Sequence, residues 1–271
     1  MVRSLWSGAT GMLAQQTAVD VISNNIANVN TAGFKTSQME FKSLLYQELQ
    51  AKTTSANGET KPIDSQVGLG VRNSSITTIF TQGAFLEAGS DTAFAIGGEG
   101  LFGVKLRDGS VGYTRNGDFH FGITTQGLEL TDSNGNAVLD TKGNPIRLNG
   151  DYTTSKVSIS GNGELFYPDA NGQPQTLNVR IGLWQFNNPA GLEKMDSSLY
   201  KETAASGKPL NEADNNTISK SKVVQGYLEG SNVQLADEMV NLIIAQRAYE
   251  ANSRVITTSD TMMQQANQLK Q

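Results

Sequence analysis

The chain contains no cysteine, a single histidine and six prolines among its 271 residues. Without cysteine there is no disulfide, no thiolate nucleophile and no cysteine-held metal. A histidine metal cluster cannot form around His120 alone. A Ser-His-Asp relay would also have to rest on that residue, with no G-x-S-x-G segment to accompany it. His120 stands between Phe119 and Phe121, an alternation that places it on the solvent side of a strand. Excess positive charge is missing too. Basic residues number 21 against 26 acidic ones, a net charge of −5 with no long basic stretch. Phosphate neutralisation therefore offers no route to nucleic acid. No run approaches the ~18 apolar residues of a membrane span, so no membrane insertion is expected. Gln15, Gln16, Thr17 and Asp20 interrupt the N-terminal region before an apolar leader core can form. The expectation is a chain that stays in the cytoplasm or is exported without a cleaved signal.

What is present divides the chain into two ends and a middle. At the N-terminal end Leu5, Ala9, Met12, Gln16, Val19, Ser23 and Ile26 recur at spacings of four and three, the period of an amphipathic helix. This helix is expected over 4–27, roughly 35 Å long at 1.5 Å per residue. Asn28, Asn30 and Gly33 then tolerate the left-handed conformations that end helices. At the other end Val240, Ile244, Arg247, Ala251, Val255, Thr258, Met262, Gln265 and Leu269 repeat the pattern, beside a second row of Leu235, Met239, Leu242, Tyr249, Ile256 and Met263. Asn232 is the expected N-cap, with Asp237 and Glu238 where the helix dipole favours negative charge. Neither Gly nor Pro occurs from Val233 to the end.

Between the ends, residues 35–49 read as a helical extension with Phe41, Leu44, Leu45 and Leu49 on one side. Residues 51–70 read as a polar loop or arm. From Val71 onward short apolar runs alternate with turn signals such as Arg107-Asp108-Gly109, Asn134-Gly135, Lys142-Gly143-Asn144 and Asn171-Gly172, the mark of hairpins and meanders. The fold class expected is α+β. Long N- and C-terminal helices pair as a coiled-coil-like layer, and a central, mainly antiparallel β domain lies between them. The boundaries are 1–35 for the first helix and its Asn-rich end, 36–70 for the extension and arm, 71–220 for the β domain and 221–271 for the last helix. Neither long stripe finds a partner within its own end, so the helices are expected to pair and then pack against other copies.

Motifs that could carry chemistry are weak. Gly98-Glu99-Gly100-Leu101-Phe102-Gly103 matches G-x-G-x-x-G, but a dinucleotide site needs a helix directly after it, and Val104 to Gly109 reads as strand and turn. Asp132-Ser133-Asn134-Gly135-Asn136 has the start of a calcium loop, yet Ala137 and Gly143 occupy the positions that need Gly and Glu. No carboxylate pair stands out by spacing. No cofactor, metal or catalytic residue is expected.

One long segment is distinctive. Ser23-Asn24-Asn25-Ile26-Ala27-Asn28-Val29-Asn30-Thr31-Ala32-Gly33-Phe34-Lys35 resembles the N-terminal signature of flagellar rod and hook proteins. Ala93 to Phe102 resembles that family's A-I-x-G-x-G-F-F block, with Leu101 where Phe is usual. Tyr113-Thr114-Arg115-Asn116-Gly117-Asp118-Phe119 resembles its Y-T-R-x-G-x-F block. Glu229 to Val233, Glu238 to Ile243 and Gln246 to Asn252 resemble its C-terminal signature. The resemblance implies paired terminal helices forming an inner tube with β domains outside. It also implies export through the flagellar type III apparatus. The implied partners are further copies of the chain, other rod proteins, the hook protein and the P- and L-rings around the rod.

Asn24, Asn25, Asn28, Asn30, Gly33 and Phe34 are the expected signature residues, the asparagines satisfying backbone groups where the chain turns out of the helix. Leu5, Met12, Val19, Ile26, Val240, Ile244, Ala251, Val255, Met262 and Leu269 are the expected inter-subunit face. Two alternatives stay open. One is another axial protein of the same family. The other, of a different class, is a secreted β-domain enzyme or carbohydrate binder on a helical stalk.

Overall fold

A computed structural model describes residues 2–50, 65–124, 127–148, 152–153, 156–169, 173–215 and 217–269. Most of the expected polar arm (51–64) and the Asn171-Gly172 turn lie outside these. The chain forms two compact units: residues 1–27, 37–77 and 234–271 in the first, residues 28–36 and 78–233 in the second.

The first unit is built on helix α1 (Val2–Ala27) and helix α2 (Leu235–Gln268). They run antiparallel. Ser4 Oγ lies 3.0 Å from Ser259 Oγ at one end, and Asn25 Nδ2 donates to Glu238 Oε1 at 3.3 Å at the other. Small residues set the approach: Gly8, Gly11, Ala14 and Ala18 are buried in a row along α1. A Cβ at Gly8 would stand 3.0 Å from Ile256 Cγ1, and one at Gly11 would stand 2.6 Å from Asn252 Nδ2. Gly11→Ala asks for a small shift of the Asn252 side chain, whereas Gly11→Leu overpacks the seam and should cost roughly 1–3 kcal/mol. Helical ellipticity should then melt earlier in the Leu variant than in the Ala variant. Equal melting would show that the helices are not this close.

The expected helical extension over 35–49 is not formed. Strand β1 (Ser37–Ser43) and strand β2 (Tyr46–Gln50) take its place. Strand β3 (Ser65–Gly68) pairs antiparallel with β2, and strand β4 (Val71–Thr78) pairs with β1. The spacing of Phe41, Leu44, Leu45 and Leu49 fits two strands that meet at a corner as well as it fits one helix. Tertiary contacts decide between them. The Asn25 amide holds Ser37 by both its N–H and its C=O, at 3.0 and 2.8 Å. Leu44 N–H donates to the Gly70 carbonyl at 2.9 Å, and the Glu40 carboxylate accepts from the Ser75 and Thr77 hydroxyls of β4.

The second unit is the β region. Strand β5 (Phe85–Glu87) and strand β6 (Phe94–Gly97) precede a sheet centred on strand β7 (Leu101–Lys105). Strand β8 (Val111–Thr114) lies beside β7, and strand β9 (Phe119–Thr124) forms an antiparallel hairpin with strand β10 (Gly127–Asp132). One core gathers Phe94, Ile96, Phe102, Phe119, Leu130 and Val223, with the Phe102 and Phe119 rings edge-to-face at 5.1 Å. A second core holds Tyr113, Trp184 and Phe186, with Tyr113 and Phe186 edge-to-face at 4.8 Å. Burial pushes the phenol pKa of both Tyr113 and Tyr200 up to about 12, so both stay protonated at neutral pH.

The turns repeat one device. Asp132 Oδ1 accepts from the Asn134 and Asn136 N–H groups at 2.9 and 2.8 Å, and Asp140 Oδ1 accepts from those of Lys142 and Asn144 at 2.8 Å each. Gly135 and Gly143 supply φ of +79° and +78° beside them. The segment that suggested a calcium loop is thus an Asx-stabilised turn whose carboxylate is occupied by backbone donors. The G-x-G-x-x-G segment turns from β6 into strand β7 rather than into a helix. His120 is exposed on β9.

Two expected boundaries move. β structure continues past 220, because strand Lys222–Gln225 pairs with β6 and strand Tyr227–Glu229 with β5, and the last helix begins only at Leu235. Val223 enters the main core, and that burial outweighs the helical pattern downstream. The cap of α2 is Gln234, which makes no side-chain capping bond. The expected cap, Asn232, is engaged elsewhere. Its Oδ1 accepts from Thr36 N–H at 2.8 Å, and its Nδ2 donates to the Ile79 carbonyl at 2.9 Å.

Candidate functional site

Among the described residues no helix is long and apolar enough to cross a membrane, and no group of three or more His, Asp or Glu could hold a metal ion. The features that remain are the faces of the helix pair and the cluster made by the signature segments.

On α2 the inward face carries Glu238, Leu242, Ala245, Asn252, Ile256, Ser259 and Met263, which are buried or half-buried. The residues expected to meet other copies lie on the other side. Val240, Ile244, Ala251, Val255, Met262 and Leu269 are all exposed, Val240 by 55% and Ile244 by 60%. Leu235, Met239 and Ile243 extend this apolar surface. On α1, Leu5, Met12, Val19 and Ile26 are half-buried, beside the small-residue row rather than within it. The periodicity thus located apolar stripes on both helices, but the intramolecular seam uses a different face. Its signal was present in the sequence as Gly8-x-x-Gly11-x-x-Ala14-x-x-x-Ala18, which a search for large apolar residues passes over.

The signature asparagines have separate fates. Asn25 is buried and pins Ser37. Asn28 is half-buried, its Oδ1 accepting from the Thr31 hydroxyl at 3.1 Å as the chain leaves α1. Asn24 and Asn30 are exposed. Gly33 is buried at φ +69°, and its N–H donates to the Glu229 carbonyl at 2.7 Å. Phe34 is half-buried, with Lys194 Nζ 5.7 Å above its ring.

Sequence reasoning assigned no role to Lys35, Arg115 and Glu229, yet these three meet in the second unit. Lys35 Nζ lies 2.6 Å from Glu229 Oε1, and Arg115 Nη1 lies 2.9 Å from Glu229 Oε2, with all three side chains buried. Each comes from a different signature block and stands close to a glycine, which was the available clue. Desolvation lowers the Lys35 pKa despite the adjacent Glu229 carboxylate.

Glu238, where α2 begins, is buried against Asn25, and desolvation raises its carboxyl pKa above the ordinary value, with Asp237 adding to the rise. A raised folded-state pKa means that the folded form holds its proton more tightly than the unfolded one. The associated stability is full below the ordinary carboxylate pKa and is lost as pH rises through the raised value. Glu238→Gln keeps an acceptor for Asn25 without the charge. It should stabilise the helical unit at neutral pH and flatten its melting temperature between mildly acidic and neutral pH. An unchanged pH profile would remove Glu238 from this account.

Comparison with known proteins fits this geometry. Family models match three stretches: "Flagella basal body rod protein" over residues 5–35, "Flagellar hook protein FlgE/F/G D1 domain" over 95–167, and "Flagellar basal body rod FlgEFG protein C-terminal" over 224–269. They fall on α1 with its Asn-rich end, on the β region from β6, and on α2 with the strands before it. Architecture and matches together define an axial protein of the flagellum.

Full-length relatives narrow the class. The chain is 40% identical to the flagellar basal-body rod protein FlgG of Borreliella burgdorferi, with 100% of this chain and 99% of that protein covered. It is 40% identical to FlgG of Buchnera aphidicola subsp. Schizaphis graminum (99% and 100% covered) and 37% identical to FlgG of Bacillus subtilis (100% of both). The chain belongs to the FlgG family of flagellar basal-body rod proteins.

Proposed function

We propose that the chain is a structural, non-catalytic subunit of the flagellar distal rod that self-assembles into a helical tube and transmits motor torque to the hook. The observation that carries this reading is the apolar surface on α2, running through Val240, Ile244, Val255 and Met262, which stays in water in the single chain. A surface of this kind marks a protein contact. Each square ångström covered contributes about 25 cal/mol. The occupant is a second copy of the chain, its helix pair packing coiled-coil-like against the first, with Leu5, Met12, Val19 and Ile26 of α1 joining the same contact. One face meeting a different face of the next copy does not close into a ring of two, and repetition generates a helical filament.

The location that follows is the basal body, in the part of the rod that crosses the periplasm. The chain reaches it through the flagellar type III export apparatus without a cleaved signal. Neighbours in the assembly are other rod proteins and the hook protein, with the P- and L-rings around the outside. Labelling at exposed Ile123 of the β unit, followed by imaging of isolated basal bodies, tests the reading. Label along the rod below the hook is expected. Label confined to another compartment, or absent from basal bodies of motile cells, refutes it.

A further inference from the structure

Three charged side chains meet inside the β unit, and the assembly role described above does not use them. Lys35 lies on the segment that follows α1, Glu229 on the segment that precedes α2, and Arg115 just beyond the end of β8. We propose that the Lys35–Glu229–Arg115 triple is a clamp that fastens the two segments leading to the terminal helices onto the β sheet, so that force carried by the helices enters the β unit there. The proposal rests on the rod reading for its purpose, although the clamp can be tested without it.

The contacts are directional. Glu229 Oε1 accepts from Lys35 Nζ at 2.6 Å and from Gly83 N–H at 2.9 Å, while Oε2 takes Arg115 Nη1 at 2.9 Å. Lys35 Nζ also donates to the Thr81 carbonyl at 2.7 Å. Arg115 ties the group to the sheet by donating to the Ile96 carbonyl at 3.4 Å and the Gly98 carbonyl at 2.5 Å. The same two segments are stitched again next door. Gly33 N–H bonds the Glu229 carbonyl, and Asn232 Oδ1 accepts from Thr36 N–H and from the Thr36 hydroxyl, at 2.8 and 2.7 Å.

Stability alone does not call for such a group. Buried ions lose hydration, and a well-packed apolar trio would hold these segments as firmly at rest. The buried Arg115 Nε–H finds no acceptor among the described residues, so the guanidinium is aimed by its two terminal nitrogens alone. What ions add over methyl groups is register. Each carboxylate oxygen has its own cation, and a slip of one residue along either segment breaks the pairing, whereas apolar surfaces can slide.

The arrangement also supplies a diagnostic variant. The triple carries two positive charges and one negative. Lys35→Met leaves a balanced Arg115–Glu229 pair, so the fold should survive while the charged link between the two segments is lost and the Gly33–Glu229 and Thr36–Asn232 hydrogen bonds still join them. Glu229→Gln instead leaves two buried cations facing each other and should lower the melting temperature itself. In an optical trap, with the full chain held by its two termini, Lys35→Met should melt close to wild type yet open about tenfold faster under force. Lys35→Arg, which keeps a cation for Glu229, should restore slow opening. The clamp is overturned if Lys35→Met opens at the wild-type rate, or if its melting falls in step with its faster opening.

A second arm uses a host lacking the gene. Wild type should restore rods, and Lys35→Met cells should turn a small bead on the filament but stop or shed it under high viscous load. Equal rotation at the highest load rejects the clamp. Failure of wild type to restore rods rejects the rod reading, and the trap measurement then judges the clamp by itself.

Discussion

Deleting residues 240–269 should abolish rod completion and swimming while the β unit stays folded. The deletion removes most of α2 and with it the apolar surface of Val240, Ile244, Val255 and Met262. None of the deleted residues belongs to the second unit, which spans 28–36 and 78–233. Trp184 is buried in the second core beside Tyr113, whereas Trp6, the only other tryptophan, is exposed on α1. In a Trp6→Phe background the fluorescence of Trp184 therefore reports the β unit alone. Its unfolding midpoint should be the same with and without the deletion, while motile cells fall to none. Ile244→Lys makes the same point more finely, since Ile244 faces away from α1 and a lysine there leaves the helix pair intact. Motility surviving either change would mean that this face of α2 is not where copies meet.

The long elements were legible in the sequence because their periodicity runs over many turns. The expected first helix at 4–27 is found as Val2–Ala27, and the last helix starts two residues later than its glycine- and proline-free run, at Leu235. Hairpin turns were legible for a different reason, since Asn134-Gly135 and Lys142-Gly143-Asn144 carry their own geometry in glycine at positive φ and in an aspartate that caps the turn. Residues 35–49 were not legible, because their outcome is decided by Asn25 and Gly70, residues on separate elements.

The helix faces were half legible. Large apolar residues mark what a helix can offer to a partner, but close antiparallel packing selects small ones. The stripe of Leu5, Met12, Val19 and Ile26 therefore lies beside the seam of Gly8, Gly11, Ala14 and Ala18. The buried ion triple was the least legible feature. Lys35, Arg115 and Glu229 are far apart along the chain, and no spacing rule joins them. Only the fold shows that three signature blocks converge on one carboxylate.

Gly33→Ala should destabilise the β unit through its backbone conformation and through a steric clash at once. Two costs add at this position. The backbone sits at φ +69°, where an alanine is strained by ~1–2 kcal/mol. The added Cβ would also stand 2.5 Å from Asn116 N and 2.6 Å from the Arg115 carbonyl carbon, and these are backbone atoms that cannot rotate aside. Forcing the main chain apart costs a further ~1–3 kcal/mol. The displaced backbone carries the Arg115 side chain, so the damage reaches the partner of Glu229. Gly109→Ala separates the two costs, because Gly109 has φ +83° but no atom of the described residues within 4 Å of its would-be Cβ. It should lose only the conformational part, a few degrees of melting temperature at about 2–4 °C per kcal/mol, while Gly33→Ala, with both costs, should lose roughly twice as much or more. If the two variants melt together, the segment after α1 does not press against the Arg115–Asn116 backbone, and the signature glycine is a helix terminator and nothing else.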